Sequence, residues 1–514
     1  MASTFLRLVL GGIAGKLLGI VREVLLAALF GAGRAVGANR VAQTATMVPV
    51  NFFTADALSA GFLPLYVRYR QDSPALALAL YRAVRTILGG LSVLLVVALL
   101  LLRELWIALL GPGLDAAAAT LAVAMLTIAA FSVPFYVQYA LYTLVALARD
   151  DVSLVNLRAG VQSVGLIGAT LLAYFTGDVV LLAWGFTVPY VVLSLWGAYW
   201  VRRRGYLRAD GGDGSLPPTS RAQYEVALTM FWRRLRPLLL LPVLLQGSIA
   251  VERAVGSLLG IEVVAATEYS RFVVDSLMAL IAAPLGLASL AAFARMRDDE
   301  VVAGLERLIA PVLLVTIPLS VALTVNARGI TSLLYARGAF DDRAVDVTSV
   351  MLLGFSLGIW AHVLGYTFVK VLNARGRNRR VAVVNGLAFG AAAVVNLVMW
   401  RYWGPVTIGV AATVASLVML VGSALSLHLL RQLVRLLSLL APAVAVAALV
   451  GWALAGDGLL RTAASCAAIG LVWSGYPVLV PSLRRVVVTE LLTKAAGRAR
   501  TMRPDPARHR SESP

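Results

Sequence analysis

Between Gly11 and Arg70 an apolar stretch carries Lys16, Arg22, Glu23, Asn39, Arg40, Gln43, Thr46, Asn51, Thr54 and Asp56. At about 100° per residue, Gly12, Lys16, Gly19, Glu23 and Ala27 fall on one small, charged helical stripe. Leu10, Leu17, Leu18, Val21, Leu25 and Leu29 supply the apolar surface around it. A second helix follows the FGAG turn at Phe30 to Gly33, with Asn39, Gln43, Thr46 and Thr54 sharing one face. Ionisable side chains at membrane depth are costly and face a bundle interior or a watery cavity, where cations can hold an anion. The plainer reading is that Lys16 and Glu23 neutralise each other between packed helices. The polar load of the two helices exceeds what one pair can satisfy.

A second charged group lies downstream. Glu252-Arg253 stands in AVERAV, and Glu268, Arg271 and Asp275 follow at helical i, i+3 and i+7 positions. Arg271–Asp275 is an i,i+4 pair, so an internal salt bridge that lets the helix insert is one reading. The other places Arg271 in the same cavity as Lys16 and Arg22, with Glu23, Arg40, Asn51, Asp56, Glu252, Glu268 and Asp275 in support. A lone cation at a helix centre costs about 2.5–3.5 kcal/mol, so three cost about 8–10. The acids and cavity water offset part of that, and an anionic ligand would supply the remaining counter-charge.

Hydrolytic or metal chemistry has little to build on. The single cysteine, Cys466, lies in an apolar run, and His362, His428 and His509 are scattered, so neither a disulfide nor a metal site is expected. Asp341-Asp342 reads as a helix N-cap more cheaply than as a metal pair. Lys370 is expected to snorkel to the inner surface. No cofactor is expected, and coupling to an ion or to the membrane potential stays open.

The 514 residues are 60% hydrophobic and only 14% charged, against about 25% charged in a soluble chain, so this is an all-α polytopic membrane protein. About fourteen segments reach spanning length, roughly 5–30, 38–67, 80–110, 116–147, 153–176, 179–202, 226–257, 262–293, 300–325, 344–373, 380–401, 405–430, 436–456 and 461–482. The net charge of +19 is almost all arginine, the lysines being Lys16, Lys370 and Lys494. These arginines cluster in short loops, which orients a membrane protein and does not make a nucleic-acid surface. Positive loops follow the even-numbered spans, as with Arg68, Arg149, Arg158, Arg202 and Arg375; Arg34, Arg337, Arg343 and Arg401 are exceptions. Both termini are therefore expected in the cytoplasm, and a cleavable signal peptide is not expected.

The longest inside loop contains GGDGSLPP and reads as a linker between two bundles. The expected organisation is a six-helix lobe at 1–203, a linker at 204–225, a second six-helix lobe at 226–431, two extra helices at 432–482 and a basic tail at 483–514. The lobes would enclose a central cavity, as parallel repeats do in transporters.

KLLGIVRE at Lys16, LFGAG and FFTADALSAGFLPLY up to Tyr66, with VERAVGSLL and EYSR further on, resemble the MurJ/MviN family of lipid II flippases, within the wider group that includes MATE exporters. The motifs cover about a quarter of the chain. The resemblance implies a monomeric multi-pass protein of the bacterial cytoplasmic membrane that moves a lipid-linked anionic glycan and meets membrane lipids along its surface. It carries the family's cavity cations onto Lys16, Arg22 and Arg271, and its second-helix acid onto Asp56. It also implies that the last two helices form a groove for the lipid tail. Two departures stand out. Gly37 replaces an aspartate after FGAG, and Val50-Asn51 replaces an arginine pair expected to hold the substrate's diphosphate. A related polyprenyl-diphosphate glycan would fit that change. A MATE-like exporter of organic cations would need an acidic cavity, a membrane enzyme would need extramembrane loops and a nucleophile–base pair, and the charged stripes count against a scaffold.

Overall fold

The computed structural model describes residues 2–54, 56–207, 220–236, 239–293 and 298–480, and they are helical with no strand among them. In hydrocarbon each backbone N–H and C=O needs a partner within the chain, and runs of Ala, Leu and Val supply one by coiling. The first half holds α1 (Ala2–Phe30), α2 (Arg34–Thr54), α3 (Asp56–Asp72), α4 (Pro74–Leu101), α5 (Arg103–Leu110), α6 (Ala116–Ala130), α7 (Ser132–Leu147), α8 (Ser153–Thr176) and α9 (Trp184–Arg203). The second holds α10 (Arg221–Leu235), α11 (Leu240–Leu259), α12 (Ile261–Phe293), α13 (Asp298–Val325), α14 (Ala327–Tyr335), α15 (Asp342–Ser356), α16 (Ile359–Ala374), α17 (Asn378–Trp403) and α18 (Val406–Ser426). A final hairpin is α19 (Leu430–Leu454) and α20 (Leu459–Leu479).

Each of the fourteen expected segments falls on a helix or a broken pair of helices. Among the described residues seven helices are long and apolar enough to cross a membrane, or nine if the bent pairs α6–α7 (43°) and α15–α16 (45°) each count once. The polar residues of α2 and α11 keep those two helices out of that number. Two expected boundaries move. The segment at 226–257 is two helices, α10 and α11, with Pro237, which lacks an N–H, in the intervening sequence. A capping box between Ser220 and Gln223 starts α10 inside the expected linker, and α10 packs on α3 and α4 of the first half. Residues 208–219 and the tail at 483–514 lie outside the described residues.

The halves repeat one pattern of neighbours. In the first, α1 packs on α8, α2 on α6, α7 on α9 and α8 on α9; in the second, α11 packs on α17, α12 on α15 and α16, α16 on α18, and α17 on α18. Most of one apolar cluster fills the first half and another fills the second. The α19–α20 hairpin leans on α13, with Trp473 Nε1 donating to the Leu314 carbonyl (2.7 Å). Asp341 Oδ1 accepts from the Ala344 amide (2.8 Å), the N-cap expected at α15.

Besides α10, contacts across the halves run from α1, α2 and α5 to α11, α12 and α14. They are closest at the end carrying the FGAG turn. A Cβ on Gly37 would lie 2.7 Å from the Ile261 carbonyl oxygen, and one on Gly113 would lie 2.2 Å from that of Ser257. Gly31, at φ +61, leaves no room beside the Ala339 carbonyl, and the Ala339 amide donates to the Ala28 carbonyl (2.8 Å). The aspartate that the family pattern places at residue 37 therefore has no space here. Tyr269, Tyr335 and Phe340 pack ring against ring in the same seam, tilted or edge to face, with the Tyr269 hydroxyl donating to the Gly31 carbonyl (3.0 Å). At this end Arg34 pairs with Asp115 (2.9 Å) and Arg343 with Glu262 (3.0 Å), so two of the charge exceptions are neutralised locally.

At the opposite end Asp151 ties the turn before α8 to the end of α9. Its carboxylate accepts from Trp200 Nε1 and the Tyr206 hydroxyl (both 2.8 Å) and from the Ser153 amide (2.9 Å). Burial works against the charge, yet these donors hold the carboxyl at about 2.

Candidate functional site

The charged residues converge where α1 and α2 meet α11 and α12. Glu23, 2% exposed, accepts from Arg22 through Nε (3.0 Å) and Nη2 (2.6 Å), and from Arg40 Nη2 (2.6 Å). Between α11 and α12 two reciprocal pairs form, Arg253 donating to Glu268 and Arg271 to Glu252. Two pairings that the sequence left open resolve differently here. Glu23 is neutralised by Arg22 and Arg40 and not by Lys16, because α2 brings Arg40 across from 17 residues away. Arg271 reaches Glu252 on the preceding helix and not Asp275 one turn on; the α11–α12 crossing decides this over the i,i+4 preference.

Lys16 and Arg22 flank the ring of Phe272, at 5.8 and 5.9 Å from its centroid, and Arg271 stacks over Phe355 at 5.3 Å. A cavity of about 250 Å³ between the halves is lined by Arg40, Gln43, Asn51, Glu252, Arg253, Glu268 and Arg271, among others. A second, of about 260 Å³, shares Glu252 and Arg271 and adds Asp275, His362, Asn396 and Ser416. Lys16, Arg22 and Glu23 line neither, and join the group through the Glu23–Arg40 bond and Phe272. The side chain of Asp56 lies outside the described residues.

The network is close to balanced. Four arginines (22, 40, 253 and 271) meet three glutamates (23, 252 and 268), and Lys16 and Asp275 add one charge of each sign. The seam is thus less basic than the sequence suggests, with one positive charge over. Arg253 and Gln43 are cavity residues that sequence reasoning named only as part of a motif and of a helix face. His362, in the sequence only one of three scattered histidines, lines the second cavity with its Nδ1 3.4 Å from Ser416 Oγ. Lys370 lies over Tyr366, with Nζ 4.9 Å from the ring centroid.

Asn51 is held differently from its neighbours. Its Oδ1 accepts from the Tyr136 hydroxyl of α7 (3.2 Å), and Val50 beside it is buried. That places an uncharged amide where the family pattern has an arginine.

A helical chain with a repeated neighbour pattern, hollow at a charged seam between its halves, has the architecture of a membrane transporter. The family described as lipid II flippase MurJ matches residues 26–471, and the chain belongs to that family. Its fold is similar to that of a lipid II flippase MurJ solved in an inward closed conformation, at a TM-score of 0.78 and 17% identity over 91% of this chain and 97% of that one. It is also similar to an inward-facing multidrug resistance MATE family transporter of the MOP superfamily (TM-score 0.64, 14% identity, 82% and 95% covered). A MOP superfamily transporter from Pyrococcus furiosus, described as having a binding pocket of reverse polarity, follows at 0.59 with 15% identity, 84% and 95% covered. No curated protein matches by sequence.

Proposed function

We propose that this protein is a flippase that moves a polyprenyl-diphosphate-linked glycan precursor, lipid II-like, from the inner to the outer leaflet of the bacterial cytoplasmic membrane for peptidoglycan synthesis. The observation that carries this reading is the guanidinium group of Arg40, Arg253 and Arg271 lining one cavity between the halves. Planar guanidinium forks suit phosphate oxygens, and the paired glutamates keep the site soluble in the protein until a diphosphate displaces them. The lobes would be 1–203 and 226–431, rocking about the seam by alternating access; the glycine-rich end would be the outer gate. Asn51 favours a second reading, in which the cargo is another lipid-linked oligosaccharide with a different head group.

Fourteen spans with both termini inside follow from the loop charges. In a Cys466→Ser background, Thr176→Cys is expected to react with an impermeant thiol reagent added outside intact cells, and Arg203→Cys is not. Labelling at Arg203→Cys alone would overturn this orientation.

The isoprenoid tail needs an apolar bed, which α19 and α20 would offer on the side facing lipid. Gly451 is not part of that bed, because a Cβ there would lie 2.5 Å from Ile469 Cδ1 of α20. Ala445 is exposed on α19 and is the position to fill. Native mass spectrometry of the purified protein is expected to show retention of undecaprenyl diphosphate, with Ala445→Trp weakening it while farnesyl diphosphate binds as before. Absence of binding by the wild-type chain would overturn the flippase reading, and equal loss for both lipids would overturn the groove.

A further inference from the structure

Sequence counting puts Arg158 among the loop charges that orient the chain. The structure places it in the second turn of α8, with its guanidinium between two tyrosines. Nη2 donates to the Tyr190 hydroxyl (3.3 Å), and Cζ lies 5.3 Å from the Tyr136 ring centroid and 6.0 Å from that of Tyr190. Tyr190 is 1% exposed and also accepts from Gln162, which fixes the oxygen that anchors Arg158. The next residue, Ala159, is the close contact of Gly15 on α1, where a Cβ would approach to 2.7 Å, so α8 packs tightly on α1 beside Arg158.

Arg158 differs from the seam arginines in one respect. Arg22, Arg40, Arg253 and Arg271 each hold a glutamate, whereas Arg158 holds none among the described residues. A guanidinium has five N–H donors and no acceptor, and Tyr190 takes one of them. The side chain is open to a cavity of about 170 Å³ lined also by Thr54, Tyr136, Tyr139 and Thr143. That is the volume of roughly five to six waters in the liquid, room for a phosphate group. Tyr136 joins this cavity to the seam, since its hydroxyl donates to Asn51.

We propose that Arg158, framed by Tyr136 and Tyr190, is a second oxyanion position that holds the diphosphate of the lipid-linked substrate on the first half. The cation absent from residue 51 of α2 is supplied from α8, one tyrosine away. This inference rests on the flippase reading and adds to it a further residue, on the first half, that meets the phosphate.

The test titrates the full-length protein in detergent with inorganic pyrophosphate, farnesyl diphosphate and phosphatidylglycerol, read by native mass spectrometry. Arg158→Gln is expected to lose at least tenfold in affinity for the first two and nothing for the phospholipid. Arg158→Lys, which keeps the charge but not the fork, is expected to recover part of it. Tyr190→Phe, which keeps the ring and its packing, is expected to lose about threefold through a freer guanidinium. Unchanged farnesyl diphosphate binding in Arg158→Gln and Tyr190→Phe would overturn the assignment while leaving the flippase reading intact. Equal loss of phosphatidylglycerol would overturn it in favour of a general lipid-headgroup contact. Failure of the wild-type chain to bind either diphosphate would overturn the flippase reading itself, and this assignment with it.

Discussion

Glu23→Gln is expected to destabilise the folded protein by about 3–5 kcal/mol, enough to remove the monodisperse species from size-exclusion profiles after mild heating. Glu23 is 2% exposed and accepts from two arginines, and the Arg40 side chain is 9% exposed. A glutamine keeps the shape but leaves Arg40 as a buried cation without the carboxylate it is bonded to. Arg22, at 22%, can turn toward water and loses less. Removing both members of the buried pair, Glu23→Gln with Arg40→Gln, is expected to restore more than half of the lost stability, because the one charge left without its partner, Arg22, is the more exposed one. Thermal unfolding in detergent distinguishes the cases. A single variant that unfolds at the wild-type temperature would show that water already reaches this carboxylate.

Much of this organisation is legible in the sequence, and the part that is not has a physical reason. Apolar run lengths report helices because the bilayer allows little else, and the Asp341 cap is legible because it is local, spanning three residues. The stripe carrying Lys16, Gly19, Glu23 and Ala27 faces neighbouring helices as its small residues suggest, with Gly19 against Phe272 and Ala27 buried. Ion partners are another matter. Glu23 with Arg40, and Arg271 with Glu252, are set by how two helices cross, and no single-helix periodicity contains that angle. Arg158 escapes for the same reason. Counting charges near span ends places it in a loop, and only the fold brings Tyr136 of α7 and Tyr190 of α9 around it. The division of α10 from α11 is legible in Pro237 and in Arg233, Arg234 and Arg236 just before it, but counting apolar residues over the whole segment merges the two helices.

Gly113→Val is expected to abolish translocation while leaving the chain folded. Its Cβ would stand 2.2 Å from the Ser257 carbonyl oxygen and 2.5 Å from Leu258 Cα, both backbone atoms that no rotamer change can move aside. The glycine-rich end would then stay open, and Val36→Cys, at a position with 0% exposure, should become reactive to an impermeant reagent in a Cys466→Ser background. Alternating access needs each end to close in turn, so a gate that cannot shut stops the cycle. The most direct measurement reconstitutes the protein into liposomes carrying a fluorescent polyprenyl-diphosphate-linked glycan and follows how much of it becomes accessible to an enzyme added outside. The account predicts that wild-type protein empties the protected inner-leaflet pool and that Gly113→Val leaves it as in protein-free liposomes. A protected pool that wild-type protein leaves unchanged would contradict it.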